Sequence, residues 1–374
     1  MPASLDKLTI KGFKSIKDLE NFELTNLNVL IGGNGAGKSN FIDFFRLLRA
    51  MMELPLPGIE KASLASYIED GGGSDDFLYN GPKVTRQIDA ELHFGDNGYK
   101  FTLTPSTEET FIINGEARLY KYGSSGWWNL GSGHIKPELL KDKKTKGAAG
   151  GKSISAYIYN SIESWKIYHF HDSSKTAPMR RSESVYDHAY LRFDGSNIAP
   201  FLLHLKEDYQ SSYFEIIESI RLVTPFFDDF ILKPNKTEKV RLLWNQKGSD
   251  YPLKPNHLSD GTIRFICLAA ALLQPQLPST IILDEPELGL HPFAIEILAE
   301  LIIATSTKTQ VIVSTQSPAL VDCFDANNII VVNRKNGFSH FERLSESDFT
   351  EWLKDYSLGD LWRKNVILGG PDHE

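Results

Sequence analysis

The segment from Leu27 to Phe41 limits what this chain can fold into more than any other. An apolar run, Leu27 to Ile31, leads straight into Gly32-Gly-Asn-Gly-Ala-Gly-Lys-Ser39, and a helical pattern begins at once. Strand, glycine-rich loop and helix, with the spacing Gly-x-x-x-x-Gly-Lys-Ser, form the local context of a phosphate-binding loop. Successive backbone N–H groups converge in such a loop, and the positive end of the next helix points the same way, so an anion is favoured there. The glycines let the backbone approach phosphate with no side chain in between. Lys38 is expected to reach the β- and γ-phosphates of a nucleoside triphosphate, and the Ser39 hydroxyl to hold Mg²⁺.

A chain of 374 residues, 41% apolar and 24% charged, has the composition of a soluble globular protein with one large domain or two smaller ones. Its formal net charge of −8 excludes a whole-molecule field that attracts nucleic acid. Cys267 and Cys323 both lie in or beside apolar stretches, which reads as a pair of reduced, buried thiols. The N-terminal residues carry no signal-peptide pattern and no apolar run nears membrane-spanning length, so a cytoplasmic protein is expected.

Along the chain, Leu8 to Phe13 reads as a strand. The helix after the glycine-rich loop turns Phe41, Phe44, Phe45, Leu47 and Leu48 to a core and stops before Pro55. Gln87 to Phe94, Tyr99 to Leu103 and Thr110 to Ile113 read as strands of an antiparallel meander attached to the phosphate-loop sheet, with Asn114-Gly115 as a hairpin turn. Lys141 to Lys152 is a basic loop, either solvated, which the negative net charge favours, or a contact to a phosphate backbone. Ala156 to Tyr168, Asn197 to Lys206 and Tyr213 to Leu222 carry helical patterns, the first running towards a strand; none sustains the heptads of a coiled coil. From Leu258 onwards, continuous Val/Ile runs (Thr280–Glu285, Gln310–Gln316, Ile329–Asn333) alternate with helices, which implies a parallel sheet covered on both faces. The last of these strands is followed by an acidic, aromatic tail carrying Trp352, Tyr356 and Trp362, a candidate docking surface or a helix packed on its own core.

The second chemical element is Ile281-Ile-Leu-Asp284-Glu285. A hydrophobic strand that delivers acids at its carboxyl end places them beside the phosphate loop of an open α/β sheet. Asp284 is expected to take Mg²⁺ and Glu285 to orient the attacking water, since phosphoryl transfer needs positioning and charge neutralisation more than covalent chemistry.

The third is Leu258-Ser-Asp-Gly-Thr262. With it, the chain resembles the ATP-binding-cassette class, and within that class the RecF/SMC/OLD group of DNA-metabolism and defence ATPases. The resemblance is carried by Ile10-Lys-Gly-Phe-Lys-Ser15, Gly32 to Asn40, Leu258 to Thr262, Leu283-Asp-Glu-Pro-Glu-Leu-Gly-Leu-His-Pro292 and Ser314-Thr-Gln-Ser-Pro318. It implies an α/β fold: an ABC-type core with a mixed, mostly parallel sheet, an antiparallel β subdomain and a helical lid. Residues 1–125 and 226–345 would form the core, 126–225 the insertion and 346–374 the tail. ATP would be held by Gly32, Asn34, Gly35, Ala36, Gly37, Lys38, Ser39 and Asn40, with Mg²⁺ on Ser39 and Asp284. The resemblance also implies that Ser259 and Gly261 act in trans, closing over ATP held by a second copy, so that a homodimer sandwiches two nucleotides head to tail.

The chain departs from that class at two places. Asp260 stands where a second glycine is usual; a carboxylate next to phosphate weakens binding unless it points away, so a looser trans contact is expected. Gln316 stands where a switch histidine is common; glutamine donates a hydrogen bond but carries no charge. Both departures lead to an expectation of slow hydrolysis, with Glu285, Lys38 and Gln316 as the catalytic group. Gln87 is a weak candidate for a lid glutamine. His291 follows the segment expected at the dimer interface, and His169, His171 and Asp172 form a candidate metal trio. The leading functional reading is a switch subunit in DNA maintenance or anti-phage defence, working with a separate effector (nuclease or toxin), with DNA as a further candidate partner and no membrane contact. With only a short stretch after Pro318, this chain is not expected to cut DNA itself. The alternative is a nucleotide-dependent scaffold or toxin regulator with little hydrolysis. A transporter energy module does not fit the long interval between Ser39 and Ser259.

Overall fold

A computed structural model of the chain describes residues 3–53, 63–121, 126–145 and 153–367. It contains two six-stranded sheets. The first is antiparallel, with β1 (Lys7–Phe13), β2 (Ile16–Glu23), β4 (Ile88–Phe94), β5 (Asn97–Pro105), β6 (Phe111–Tyr120) and β7 (Trp127–Gly131) in the order β2-β1-β4-β5-β6-β7. The second contains β3 (Leu27–Ile31), β8 (Lys166–Tyr168), β13 (Thr280–Asp284), β14 (Gln310–Ser314), β15 (Ile329–Lys335) and β16 (Phe338–Arg343), in the order β16-β15-β3-β14-β13-β8. All its neighbours are parallel except β16, which runs antiparallel to β15. Two short ladders, β9 (Glu183–Ser184) with β11 (Lys239–Val240) and β10 (Phe227–Ile231) with β12 (Leu243–Gln246), complete the strands.

Side chains alternate between two cores across the parallel sheet. Val29, Ile31, Ile281, Leu283, Val311 and Val313 face one core, shared with α5 (Ile198–Asp208), α6 (Gln210–Val223), α7 (Asp260–Leu272) and α8 (Pro292–Ser306). Leu30, Ile282, Ile312, Ile330 and Val332 face the other, shared with α1 (Lys38–Met52), α2 (Ser63–Asp70), α3 (Leu139–Asp142), α4 (Ile154–Ser164) and the antiparallel sheet. Burial on both faces is why these strands read as unbroken apolar runs. In α1 the five expected side chains are buried, and so are Ile42, Ala50, Met51 and Met52, because the antiparallel sheet covers another flank of the helix. The observed class is the expected one: a mixed, mostly parallel sheet with an antiparallel sheet beside it.

Several local expectations are corrected. The meander does not extend the phosphate-loop sheet; it continues β1 and β2 in a sheet of its own. Asn114-Gly115 is not a turn. β6 runs through it, and the register steps from Leu103↔Ile113 to Thr102↔Gly115, so Asn114 is the extra residue of a bulge. Both flanks keep their ladder with β5, which outweighs a local turn preference; the chain reverses at 106–110 instead. The interval 126–225 supplies strands to both sheets, β7 to the antiparallel one and β8 to the edge of the parallel one. Lys141 and Asp142 end helix α3, and the rest of that basic stretch from residue 146 lies outside the described residues.

Beyond β16, α10 (Glu346–Phe349) and α11 (Leu358–Arg363) form the tail. Leu358, Leu361, Trp362 and Ile367 pack into the core, and the Gly359 N–H donates to Asp322 Oδ1 at 2.6 Å, just after α9 (Pro318–Val321). Trp352 and Tyr356 are exposed. Cys267 and Cys323 are both free; Cys267 is buried and Cys323 half-buried. Among the described residues, no helix is long and apolar enough to cross a membrane.

Candidate functional site

β3 ends at Ile31, and the chain turns through Gly32–Gly37 into α1. Gly37 caps the helix at φ 117°, and a Cβ there would collide with the Ser339 hydroxyl on β16, so only glycine fits. The loop is braced from behind. Ser339 Oγ lies 2.6 Å from the Ala36 carbonyl and 2.7 Å from Ser15 Oγ, and the Asn40 amide donates to Ser15 Oγ at 2.7 Å. No acid occupies the first turn of α1, which leaves the positive helix end uncompensated. Lys38 is only 5% exposed and donates to the carbonyls of Gly32 (2.6 Å) and Gly33 (3.2 Å). Burial holds its ammonium below the usual lysine range, while the nearby charges of Glu285, Asp284 and Glu287 oppose that shift. Gly33, Asn34, Gly35, Gly37, Lys38, Ser39, Asn40 and Gln316 line one cleft.

Asp284 ends β13, which is separated from β3 by β14 alone. It is 8% exposed, with Oδ2 3.4 Å from His169 Nδ1 and 3.6 Å from Arg46 Nη2. Burial pushes its carboxyl upwards, but His169, Arg46 and His171 together hold it below the usual carboxylate range. Glu285 leaves the strand at φ 45°, an uncommon backbone region for a residue with a side chain. The Gln316 amide donates to Glu285 Oε1. Behind them, the buried Glu287 accepts from the Thr315 hydroxyl (2.5 Å) and the Gln316 N–H (3.1 Å), and burial pushes its carboxyl upwards. Ser39 and Asp284 offer a hydroxyl and a carboxylate, the hard oxygen donors that suit Mg²⁺.

Ser259 caps α7, its hydroxyl accepting from the Thr262 N–H at 3.0 Å. A Cβ on Gly261 would run into the Gly289 carbonyl, so this glycine permits two backbone segments to touch. Two arginines tie the same loop to the chain that follows β8. Arg264 Nε donates to the Phe170 carbonyl (2.8 Å) and its Nη2 to the His171 carbonyl (3.1 Å). Arg180 binds the carbonyls of Ser173, Pro255 and Leu258, and its Nη2 donates to Asp260 Oδ1 at 2.7 Å.

The structure therefore gathers Gly32–Asn40, Asp284, Glu285 and Gln316 at the carboxyl ends of β3, β13 and β14. Ser259 and Gly261 do not line the cleft of their own chain. Gln87 does not line it either; its amide is spent on the Asp89 carboxylate. The histidine trio does not assemble as a metal site. The His169 and His171 rings stack 3.6 Å apart beside Asp284, Asp172 accepts from the Ser174 N–H, and no group of three or more metal-ligating side chains occurs among the described residues. His291 is exposed and caps α8.

Residues 27–322 match the family model described as "AAA domain, putative AbiEii toxin, Type IV TA system". The chain belongs to this family. Solved structures similar to this AAA-domain protein include an SMC head bound to the C-winged helix domain of ScpA, at 17% identity and a TM-score of 0.58, covering 93% of this chain and 99% of that one. Another is the SMC head domain from Pyrococcus furiosus with an extended coiled coil, bound to the C-terminal domain of ScpA. It is 17% identical over 94% of this chain and 99% of that one, with a TM-score of 0.53. The fold of this AAA-domain chain is thus that of the SMC head, an ABC-type P-loop ATPase fold. No curated protein matches it.

Sequence reasoning missed the parts of the AAA-domain site that come from distant segments. Ser339 and Arg46 carry no motif, and Arg180 lies 80 positions from its partner Asp260. Glu287 stood within a quoted motif, and its continuation of a buried strand end was the available signal for an interior carboxyl.

Proposed function

We propose that this chain binds ATP with Mg²⁺ at Gly32–Asn40 and hydrolyses it slowly, as the switch subunit of a two-component system. The observation that carries this reading is the cluster at the mouth of the phosphate loop, where buried Lys38 feels Asp284 and Glu285 and where Gln316 holds Glu285. Backbone N–H groups and Lys38 would bind the β- and γ-phosphates. Ser39 and Asp284 would hold Mg²⁺, which when bound neutralises phosphate charge. Glu285, fixed by Gln316, would orient the attacking water. With Gln316 in place of a titratable group, nothing at that position carries a proton, which supports a slow cycle.

Ser259 and Gly261 point to a second copy as the partner for ATP closure, a head-to-tail homodimer with two nucleotides between subunits. ATP binding would close the dimer and hydrolysis would reopen it, so the output is a conformational state biased by differential affinity. The recipient would be a separate effector, a nuclease or a toxin, in DNA maintenance or anti-phage defence; DNA is a further candidate partner. The family description, which names a putative toxin, favours a second reading: a nucleotide-dependent scaffold or toxin regulator with little hydrolysis.

Steady-state ATPase assays on wild type and Glu285→Gln separate the two. The switch reading expects measurable turnover that falls by about 10²–10⁴ in Glu285→Gln, the usual worth of a positioned proton acceptor. Equal phosphate release from both proteins would favour the scaffold. Turnover on the order of 10³ per second, the fast end of enzymes generally, would contradict the slow-switch reading.

A further inference from the structure

The loop Leu258–Thr262 contains an acid where an incoming phosphate needs positive potential, and the chain supplies a buried cation behind it. Arg180 is 3% exposed, whereas the Asp260 side chain is 66% exposed at the first position of α7. The guanidinium spends Nε on the Ser173 carbonyl, Nη1 on the Pro255 and Leu258 carbonyls, and Nη2 on Asp260. Three of those contacts are backbone carbonyls, one on the segment after β8 and two at the N-terminal end of the loop, so Arg180 both anchors the loop and turns the Asp260 carboxylate towards itself. Its planar fork is rigid and always charged, which suits a buried role that lysine would fill less well. A carboxylate at a helix N-terminus ordinarily satisfies the local N–H groups and competes with any other anion. Here that carboxylate is already engaged.

We propose that Arg180 is the positioning residue that makes an Asp-containing signature loop competent to receive the γ-phosphate of a second subunit, by drawing Asp260 aside and cancelling its charge. This rests on the ATP-sandwich reading above. It also revises the expectation that Asp260 loosens the trans contact: the unit presented to phosphate is an Asp–Arg pair of zero net charge. The two single substitutions should then act with opposite sign. Asp260→Asn keeps an acceptor for Nη2 and leaves the Arg180 charge uncompensated near phosphate. Arg180→Gln frees the carboxylate to repel it.

The test measures ATP-dependent dimerisation of full-length protein in the hydrolysis-deficient Glu285→Gln background by sedimentation, with monomer affinity for a fluorescent ATP analogue as the control. Asp260→Asn should tighten dimerisation severalfold. Arg180→Gln should weaken it at least tenfold, and the double variant should return to within about threefold of the reference, consistent with two directly coupled charges. Affinity of the monomer for the analogue should stay constant throughout, since the loop does not line the cleft of its own chain; the recovery in the double variant is the result that a merely structural role for Arg180 would not give. Asp260 is exposed, so its substitution stays informative even if Arg180→Gln does not fold. Unchanged or weaker dimerisation in Asp260→Asn, or a double variant no better than Arg180→Gln, overturns the inference alone. Absence of ATP-dependent association in the Glu285→Gln reference overturns the sandwich and this inference together.

Discussion

Gln316 marks where a single side chain sets the character of the site. Its amide donates to Glu285, while its main-chain N–H is anchored by buried Glu287. Glutamine can therefore aim the Glu285 carboxylate, the proposed water-positioning group, without titrating near neutral pH. Gln316→Ala should lower kcat by about tenfold or more, the loss of one oriented hydrogen bond to a charged group, about 1.5–3 kcal/mol. The KM for ATP should change less than threefold, because the phosphate loop is untouched; a KM effect larger than the kcat effect would place Gln316 in nucleotide binding instead. At this scale the sequence was informative where chemistry is local. Lys38, Ser39, Asp284 and Glu285 stand at spacings that the backbone of one strand or one turn dictates. Arg180, Ser339 and Arg46 were invisible because their partners are brought close only by the fold.

Among the elements, the segment after β8 matters most. It begins with His169 and His171 against Asp284, continues through the carbonyls held by Arg264, and ends at Arg180 behind the signature loop. One short stretch thus touches both Asp284 and the Leu258–Thr262 loop. Arg264→Met should leave the buried carbonyls of Phe170 and His171 without donors, a cost of about 1–3 kcal/mol for each such group. The expected readout is a clear drop in thermal midpoint, with Tm changing by several degrees; an unchanged midpoint would mean that water or another donor replaces Arg264. β8 itself could be anticipated only as the end of a helix-to-strand pattern. It is three residues long, and its place at the sheet edge depends on pairing with β13, far along the chain. The Asn114-Gly115 bulge shows the converse: a strong local turn signal yielded to ladder pairing on both sides.

At the scale of the whole molecule, the parallel sheet was legible because burial on both faces leaves an unbroken apolar signature, and the family resemblance implied the antiparallel subdomain; that the meander joins β1 and β2 was not legible, since β-strands alone do not declare their neighbours. The tail resolves into two parts. Leu361 and Trp362 pack into the same core as α8 and α9, and Trp352 and Tyr356 face outwards. Truncation after Leu344 is therefore expected to lower stability by about 2–5 kcal/mol or more, the range for removing one large buried side chain, measured by urea unfolding. Substituting Trp352 and Tyr356 alone should leave stability nearly unchanged, and lost effector binding in that variant would identify the exposed half as a docking surface.

The central claim is that the phosphate loop of this chain is half of a site that a second copy completes. Molar mass in solution of the Glu285→Gln protein, with and without Mg²⁺-ATP, tests it most directly. The account expects a 42.1 kDa monomer without nucleotide and a doubling of mass with it. A protein that binds ATP and stays at the monomer mass would contradict it.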